Sequence, residues 1–136
     1  VLIQDSSRQS RVLTTRVVAR GVREAIETTE LVPAWSPDGR FLAVPDLEDL
    51  SGLSIVRADN GRVIKSIENA RDPAWTPDAT KLVFLRAGKT STLHLLETGF
   101  GPSRILADLG VTYGAPVWSR DGRSVLVVAR RDHPGL

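Results

Sequence analysis

The sequence has no cysteine, no methionine and only two histidines. Without cysteine there is no disulfide framework and no thiolate metal site. Two unclustered histidines, His94 and His133, do not make a zinc centre. Aromatic residues are scarce, at 5%, so any core must rest on aliphatic side chains. No apolar run approaches the roughly 20 residues that span a bilayer. The first residues lack the basic, apolar and small-residue order of a signal peptide. A chain that begins at Val1 and contains no methionine is expected to be a piece cut from a longer one, so the missing signal says nothing about compartment. Charge of one sign is also lacking: 18 basic residues face 16 acidic ones, a net +2. Arg8, Arg11, Arg16, Arg20 and Arg23 crowd the first quarter, but they read as a solvated basic face rather than a phosphate-binding patch. Neither nucleic-acid binding nor membrane insertion is expected.

The scarce aromatics are placed with order. Pro33-Ala34-Trp35-Ser36-Pro37-Asp38-Gly39 returns as Pro73-Ala74-Trp75-Thr76-Pro77-Asp78-Ala79 and again as Pro116-Val117-Trp118-Ser119-Arg120-Asp121-Gly122. The three tryptophans are the only ones in the chain and stand 40 and 43 residues apart. A repeat of this period decides the architecture before any local pattern does. Within each copy, proline holds the approach to tryptophan extended. The Pro-Asp-Gly step is turn chemistry, with φ preset by proline, a local acceptor on aspartate and positive φ available at glycine. An apolar run follows, at 42–44, 82–85 and 125–128, so each copy reads as strand, tight turn, strand. Arg120 in place of proline and Ala79 in place of glycine show that the turn tolerates change, as a structural device does.

A second strand pair follows each apolar run. Residues 53–59 and 62–67 flank Asn60-Gly61, a strong hairpin signal. Residues 93–97 and 103–106 flank a turn at 99–102, and residues 1–5 with 11–14 form a third version at the N-terminus. Residues 16–30 have no counterpart, and 22–28 within them fit either one or two helical turns or an extra strand pair. The unit is therefore four short strands repeated at about 40 residues, the pattern of a β-propeller blade. The fold class is all-β, built of four-stranded antiparallel blades. Residues 1–15 supply the last two strands of a blade, 16–30 an insertion, 31–67 and 72–107 whole blades, and 115–130 the first two strands of another. Adjacent columns are both apolar (Leu42, Leu82, Val125; then Ala43, Val83, Leu126), so these strands are covered on both faces. Three blade-equivalents fall short of the four to eight of most propellers. The chain is thus an excised part of a larger propeller, half of a six-bladed pair of copies, or an open arc; the excised part is the preferred expectation.

The run Pro-x-Trp-Ser-Pro-Asp-Gly-x-x-Leu-x-Val at 33–44, with its strand ending in aspartate and Asn60-Gly61, resembles the TolB-like, or WD-like, propeller repeat. The resemblance extends over most of the chain beyond residue 31, plus 1–14. It implies a propeller scaffold of the kind found in periplasmic and cell-surface binding proteins, or the gating propeller of a prolyl-oligopeptidase-like serine peptidase whose catalytic domain lies outside this chain. The family has no catalytic residue on this motif. Trp35, Trp75 and Trp118 are read as wedges between blades, and Asp38, Asp78 and Asp121 as turn formers. Periplasmic or cell-surface localisation is expected by the same analogy.

No chemistry-bearing constellation stands out. Gly52-Leu53-Ser54 and Gly101-Pro102-Ser103 lack the second glycine of a nucleophile elbow. Gly88-Lys89-Thr90 ends like a phosphate loop, but Val83 stands where its first glycine belongs. His94 lies within an apolar strand and reads as a tolerated strand residue. Asp46, Glu48 and Asp49 read as a solvated acidic turn rather than a calcium loop. The chain is accordingly expected to be non-enzymatic, without cofactor or metal, and to bind a protein partner or ligand, with self-association as a further route to a complete propeller. The binding residues are expected among connections at one end of the blades (45–51, 68–71, 87–90, 108–114), since loops on a rigid scaffold carry recognition. Those residues are Asp46, Glu48, Asp49, Arg71, Lys89 and Tyr113.

Overall fold

The computed structural model describes residues 2–4, 10–12, 33–45 and 52–130. All the regular structure among them is β: β1 (Leu2–Gln4), β2 (Ser10–Val12), β3 (Ala34–Trp35), β4 (Phe41–Pro45), β5 (Gly52–Arg57), β6 (Val63–Glu68), β7 (Ala70–Trp75), β8 (Lys81–Arg86), β9 (Ser91–Glu97), β10 (Arg104–Trp118) and β11 (Val125–Arg130). The insertion at 16–30 and the acidic turn at 46–49 lie outside the described residues.

The strands pair antiparallel in three sheets, ordered β1-β2, β3-β4-β5-β6 and β11-β10-β9-β8-β7. The second is one blade. The third is a whole blade joined to the opening of another, because β10 does double duty. Its first part pairs with β9 and its later part, from Val111, pairs with β11. The sequence reading placed a loop at 108–114; the strand instead runs through. Gly110 and Gly114, at φ 73° and 74°, absorb the change of direction as bulges, which only glycine does without strain. The hairpin at Asn60-Gly61 is also longer than the two-residue turn expected. Residues 58–62 connect β5 to β6, with the Gly61 amide donating to the Arg57 carbonyl (2.9 Å) and the Arg62 amide to the Asn60 side chain (2.9 Å).

The turn after each tryptophan is built three times with the same bonds. The Ser36, Thr76 and Ser119 hydroxyls donate to Asp38, Asp78 and Asp121 at 2.7, 2.7 and 2.6 Å. Each carboxylate also accepts a backbone amide two residues on, from Arg40, Thr80 and Arg123. Gly39, Ala79 and Gly122 occupy the left-handed position at φ 71°, 59° and 69°. Bonds made to the charged form hold these carboxyls down. The Ser36 hydroxyl and then Arg40 take Asp38 to about 2, and the Thr76 and Thr80 hydroxyls take Asp78 to about 2. Ser119, then the Arg123 amide, lowers Asp121.

Apolar side chains alternate along β8 and serve two interfaces. Leu82 and Phe84 join Trp75, Ala70 and Leu96 against Ala43, Leu53, Ile55 and Ile67 of the preceding blade. Val83 and Leu85 face the other way, with Leu93 and Leu95, and carry Trp118, Val125 and Val127 of the following one. All four β8 residues are 0% exposed. Full burial of such a side chain stabilises by about 1.5–3 kcal/mol. The indoles lock the stack: Trp75 Nε1 donates to the Ala34 carbonyl and Trp118 Nε1 to the Ala74 carbonyl, both at 2.9 Å. Phe41 stacks on Trp75 and meets Phe100 edge-on at 4.9 Å, while Lys65 Nζ bonds the Gly101 carbonyl at 2.9 Å. The first strands of successive blades lie against one another, β3 on β7 and β7 on β10, so the sheets fan from that side.

His94 is buried, stacked on Phe84 at 5.3 Å between centroids. Burial, and then the Arg86 charge, push its imidazole below the usual value. The unfolded chain therefore takes up a proton before the folded one does, and stability is lost as pH falls below about 6.5. The lowered aspartates contribute stability that is present in full above about 4 and is lost as pH falls toward 2. A series of urea midpoints should thus decline in two steps on acidification. His94→Gln should remove the first step and leave the second.

Candidate functional site

The connections that close one end of the blades converge on a polar cluster. Arg71 is the second residue of β7, and its guanidinium is shared three ways. Nη1 is bonded to the Asp72 carboxylate beside it. Nη2 donates to Thr112 Oγ1 at 2.7 Å and to Ser91 Oγ at 3.3 Å. The Thr112 hydroxyl donates in turn to Ser91 Oγ at 3.2 Å. These groups come from the first strand of one blade, the third strand of the same blade and the first strand of the next. Asp72 sits in the left-handed region, at φ 53°, and its carboxylate bonds the side chain next to it. Just outside, Arg86 Nε donates to the Glu68 carbonyl at 3.2 Å and the Ala87 amide to the Asn69 carbonyl at 2.8 Å, tying the 87–90 connection to the junction of β6 and β7.

Of the residues singled out in the sequence, Arg71 is at the centre of this cluster. Lys89 is exposed in the connection two residues before Ser91, and Tyr113 is exposed next to Thr112. Asp46, Glu48 and Asp49 lie outside the described residues. The cluster's other members, Asp72, Ser91 and Thr112, carried no sequence signal. They are ordinary polar residues: Asp72 adjoins Arg71 in the chain, Ser91 is brought up by folding of the same blade, and Thr112 comes from the next.

Chemically, the cluster is a positioned hydrogen-bond donor. A guanidinium has five N–H groups in a fixed fork, and the side chain remains 42% exposed with its orientation set by three oxygens. It suits a carbonyl or carboxylate of an incoming chain. It holds no nucleophile–base pair. His94 contacts Thr92 at 2.9 Å and Ser103 at 3.5 Å, but among the described residues no carboxylate orients the ring. Also among the described residues, no group of three or more His, Asp or Glu is placed to hold a metal, and no helix is long and apolar enough to cross a membrane. At the opposite end, Gly39, Phe41 and Ala58 line a shallow cleft whose charges are already paired, Arg40 with Asp38 and Arg57 with Asp59, each at 2.6 Å.

No protein-family model matches the chain. Over 62 residues, 44% of its length, it is 37% identical to the uncharacterized peptidase YuxL of Bacillus subtilis, of which this is 9%. Its structure is similar to TolB from Acinetobacter baumannii, with a TM-score of 0.63 and 15% identity over 91% of this chain and 30% of that one. It is also similar to the Pyrococcus horikoshii acylaminoacyl peptidase, with a TM-score of 0.58 and 21% identity over 79% of this chain and 18% of that one. The chain therefore spans a minor part of each. These relatives overturn the expectation of a non-enzymatic protein: the sequence relative and one structural neighbour are peptidases. The missing nucleophile elbow concerns these 136 residues, which match only a minor part of each relative.

Proposed function

We propose that this chain, which has the TolB-like β-propeller fold, is the propeller portion of a serine peptidase of the prolyl-oligopeptidase-like kind. The observation that carries the proposal is the identity to YuxL, a peptidase by name, across nearly half of the chain. The propeller supplies no reacting group. It supplies a rigid end on which Arg71 is held by Asp72, Ser91 and Thr112 so that it meets a peptide before the peptide reaches the catalytic domain. Exposed Lys89 and Tyr113 flank it, and Asp46, Glu48 and Asp49 belong to the connection equivalent in sequence to the one that carries Lys89. The partner is then a peptide substrate. The periplasmic or cell-surface placement implied by the TolB resemblance is compatible with this role and is not required by it.

The test uses the polypeptide that carries both this segment and its catalytic domain. It should hydrolyse peptide esters or anilides and react with a serine-directed fluorophosphonate at a residue outside 1–136. Arg71→Ala should raise KM for a peptide substrate about tenfold, the loss of one charge-assisted hydrogen bond, with kcat unchanged. Absence of both hydrolysis and labelling would end the peptidase assignment. An unchanged KM would leave the peptidase but remove Arg71 from substrate contact.

A further inference from the structure

Arg71 is aimed by its backbone as well as by its partners. The short stretch that carries it begins and ends in the left-handed region, with Asn69 at φ 55° and Asp72 at φ 53°. Neither is glycine, and positive φ at such residues is uncommon enough to ask what it serves. Just beyond, β7 advances three residues, from Arg71 to Ala74, while β8 advances two, from Leu85 to Val83. A bulge of this kind re-aims the side chain beside it.

The charges held there select among ligands. Arg71 brings one positive charge and Asp72, bonded to it, one negative charge. Ser91 and Thr112 bring none. The two charged side chains are 42% and 21% exposed, so an incoming group can reach both. On the guanidinium Nη1 and Nη2 are engaged, and Nε–H has no acceptor among the described residues. On the carboxylate Oδ2 is engaged, and Oδ1 has no donor among the described residues. A donor and an acceptor thus stand side by side, with no net charge between them.

A peptide main chain is the complement of such a pair. Its carbonyl accepts, its amide donates, and neither is charged. A terminal carboxylate is a poorer match. It gains the guanidinium but meets the Asp72 carboxylate within the same few ångströms, where like charges offset what opposite charges gain. It also has no proton to give Oδ1. An arginine without such a neighbour favours the carboxylate, which it binds through two parallel bonds. Asp72 removes that advantage.

We propose that Asp72 sets specificity at this site: the Arg71–Asp72 pair takes an uncharged amide group of a peptide main chain and rejects a chain-terminal carboxylate. Arg71 donates to the carbonyl, Asp72 accepts from the amide, and the peptide is held along its length rather than by its end. The proposal rests on the reading of Arg71 as a peptide contact. It is independent of the reaction that follows.

The experiment is equilibrium binding to the polypeptide that carries this segment and its catalytic domain, treated first with the fluorophosphonate so that no probe is consumed. The probes are N-terminally dye-labelled peptides of about three to eight residues, each step moving the terminus by about 3.4 Å. Each length is made as the C-terminal amide and as the free acid, and binding is read by fluorescence polarisation. Wild type should bind no free acid more tightly than its amide. Asp72→Asn should bind at least one free acid about tenfold more tightly than its amide, and adding Arg71→Ala should erase that preference. Asparagine tolerates the left-handed backbone, so far-UV circular dichroism should be unchanged. Should the variant misfold, Asp72→Gly removes the same charge at a φ that glycine accepts and should show the same preference. A wild-type preference for a free acid that Arg71→Ala removes, an acid-to-amide ratio untouched by loss of Asp72 at every length, or no binding of any probe would each overturn the proposal. Absence of hydrolysis and labelling would end the peptidase assignment alone, because the ratios are read without catalysis.

Discussion

Phe84→Ala lowers the unfolding free energy by about 3–5 kcal/mol, the cost of emptying a fully enclosed aromatic site. Phe84 is 0% exposed and lies in the cluster shared by two blades. Its neighbours there are strand residues held from both sides, so they cannot collapse into the space. A second readout separates this cavity from a general loosening. Phe84 stacks on His94, and burial is the first cause of that imidazole's lowered pKa. Opening the cavity to water relieves desolvation, so the His94 pKa should rise toward about 6.5. Urea unfolding gives the first quantity and histidine proton NMR across pH the second. Lost stability with an unmoved His94 would mean that the stack does not set its environment.

Trp75→Ala costs a similar amount, about 3–5 kcal/mol, but its meaning is different. Trp75 both fills the gap beside Phe41 and donates to the Ala34 carbonyl, so its loss unpins one blade from the next. Trp75→Phe keeps most of the ring and removes the donor. It should cost about 1–3 kcal/mol, the penalty for a carbonyl left without its partner. Trp35→Ala in the single chain should cost far less than Trp75→Ala, because Trp35 is 43% exposed and donates to nothing among the described residues. Equal losses at both positions, measured by urea unfolding, would contradict a wedge role that depends on a preceding blade.

The fold was legible in the sequence because its determinants are local and written three times. Pro-x-Trp, a hydroxyl, an aspartate and a residue able to take positive φ specify one hairpin each time, and the 40-residue period specifies the stacking. What escaped were features set by glycine geometry within a strand. Gly110 and Gly114 read as loop residues, yet they let β10 leave one blade and open the next without a break. The loop at 58–62 escaped because Asn60 bonds the Arg62 amide and holds a wider turn than Asn-Gly alone suggests. The polar cluster was half legible. Arg71 could be picked as a charge at a blade end, but Ser91 and Thr112 lie 20 and 41 residues away from it, and only folding of the blade brings up the first and only blade stacking the second. The enzymatic association entered only as the alternative that the repeat's resemblance implied, since a propeller segment carries scaffold residues whatever domain it serves.

The most direct test of the stacked-blade account is hydrogen exchange at the three indole N–H groups of the chain, followed by 15N NMR. The account predicts that the Trp75 and Trp118 protons are protected, being bonded to Ala34 and Ala74, while the Trp35 proton exchanges freely. Three indoles exchanging alike would contradict it.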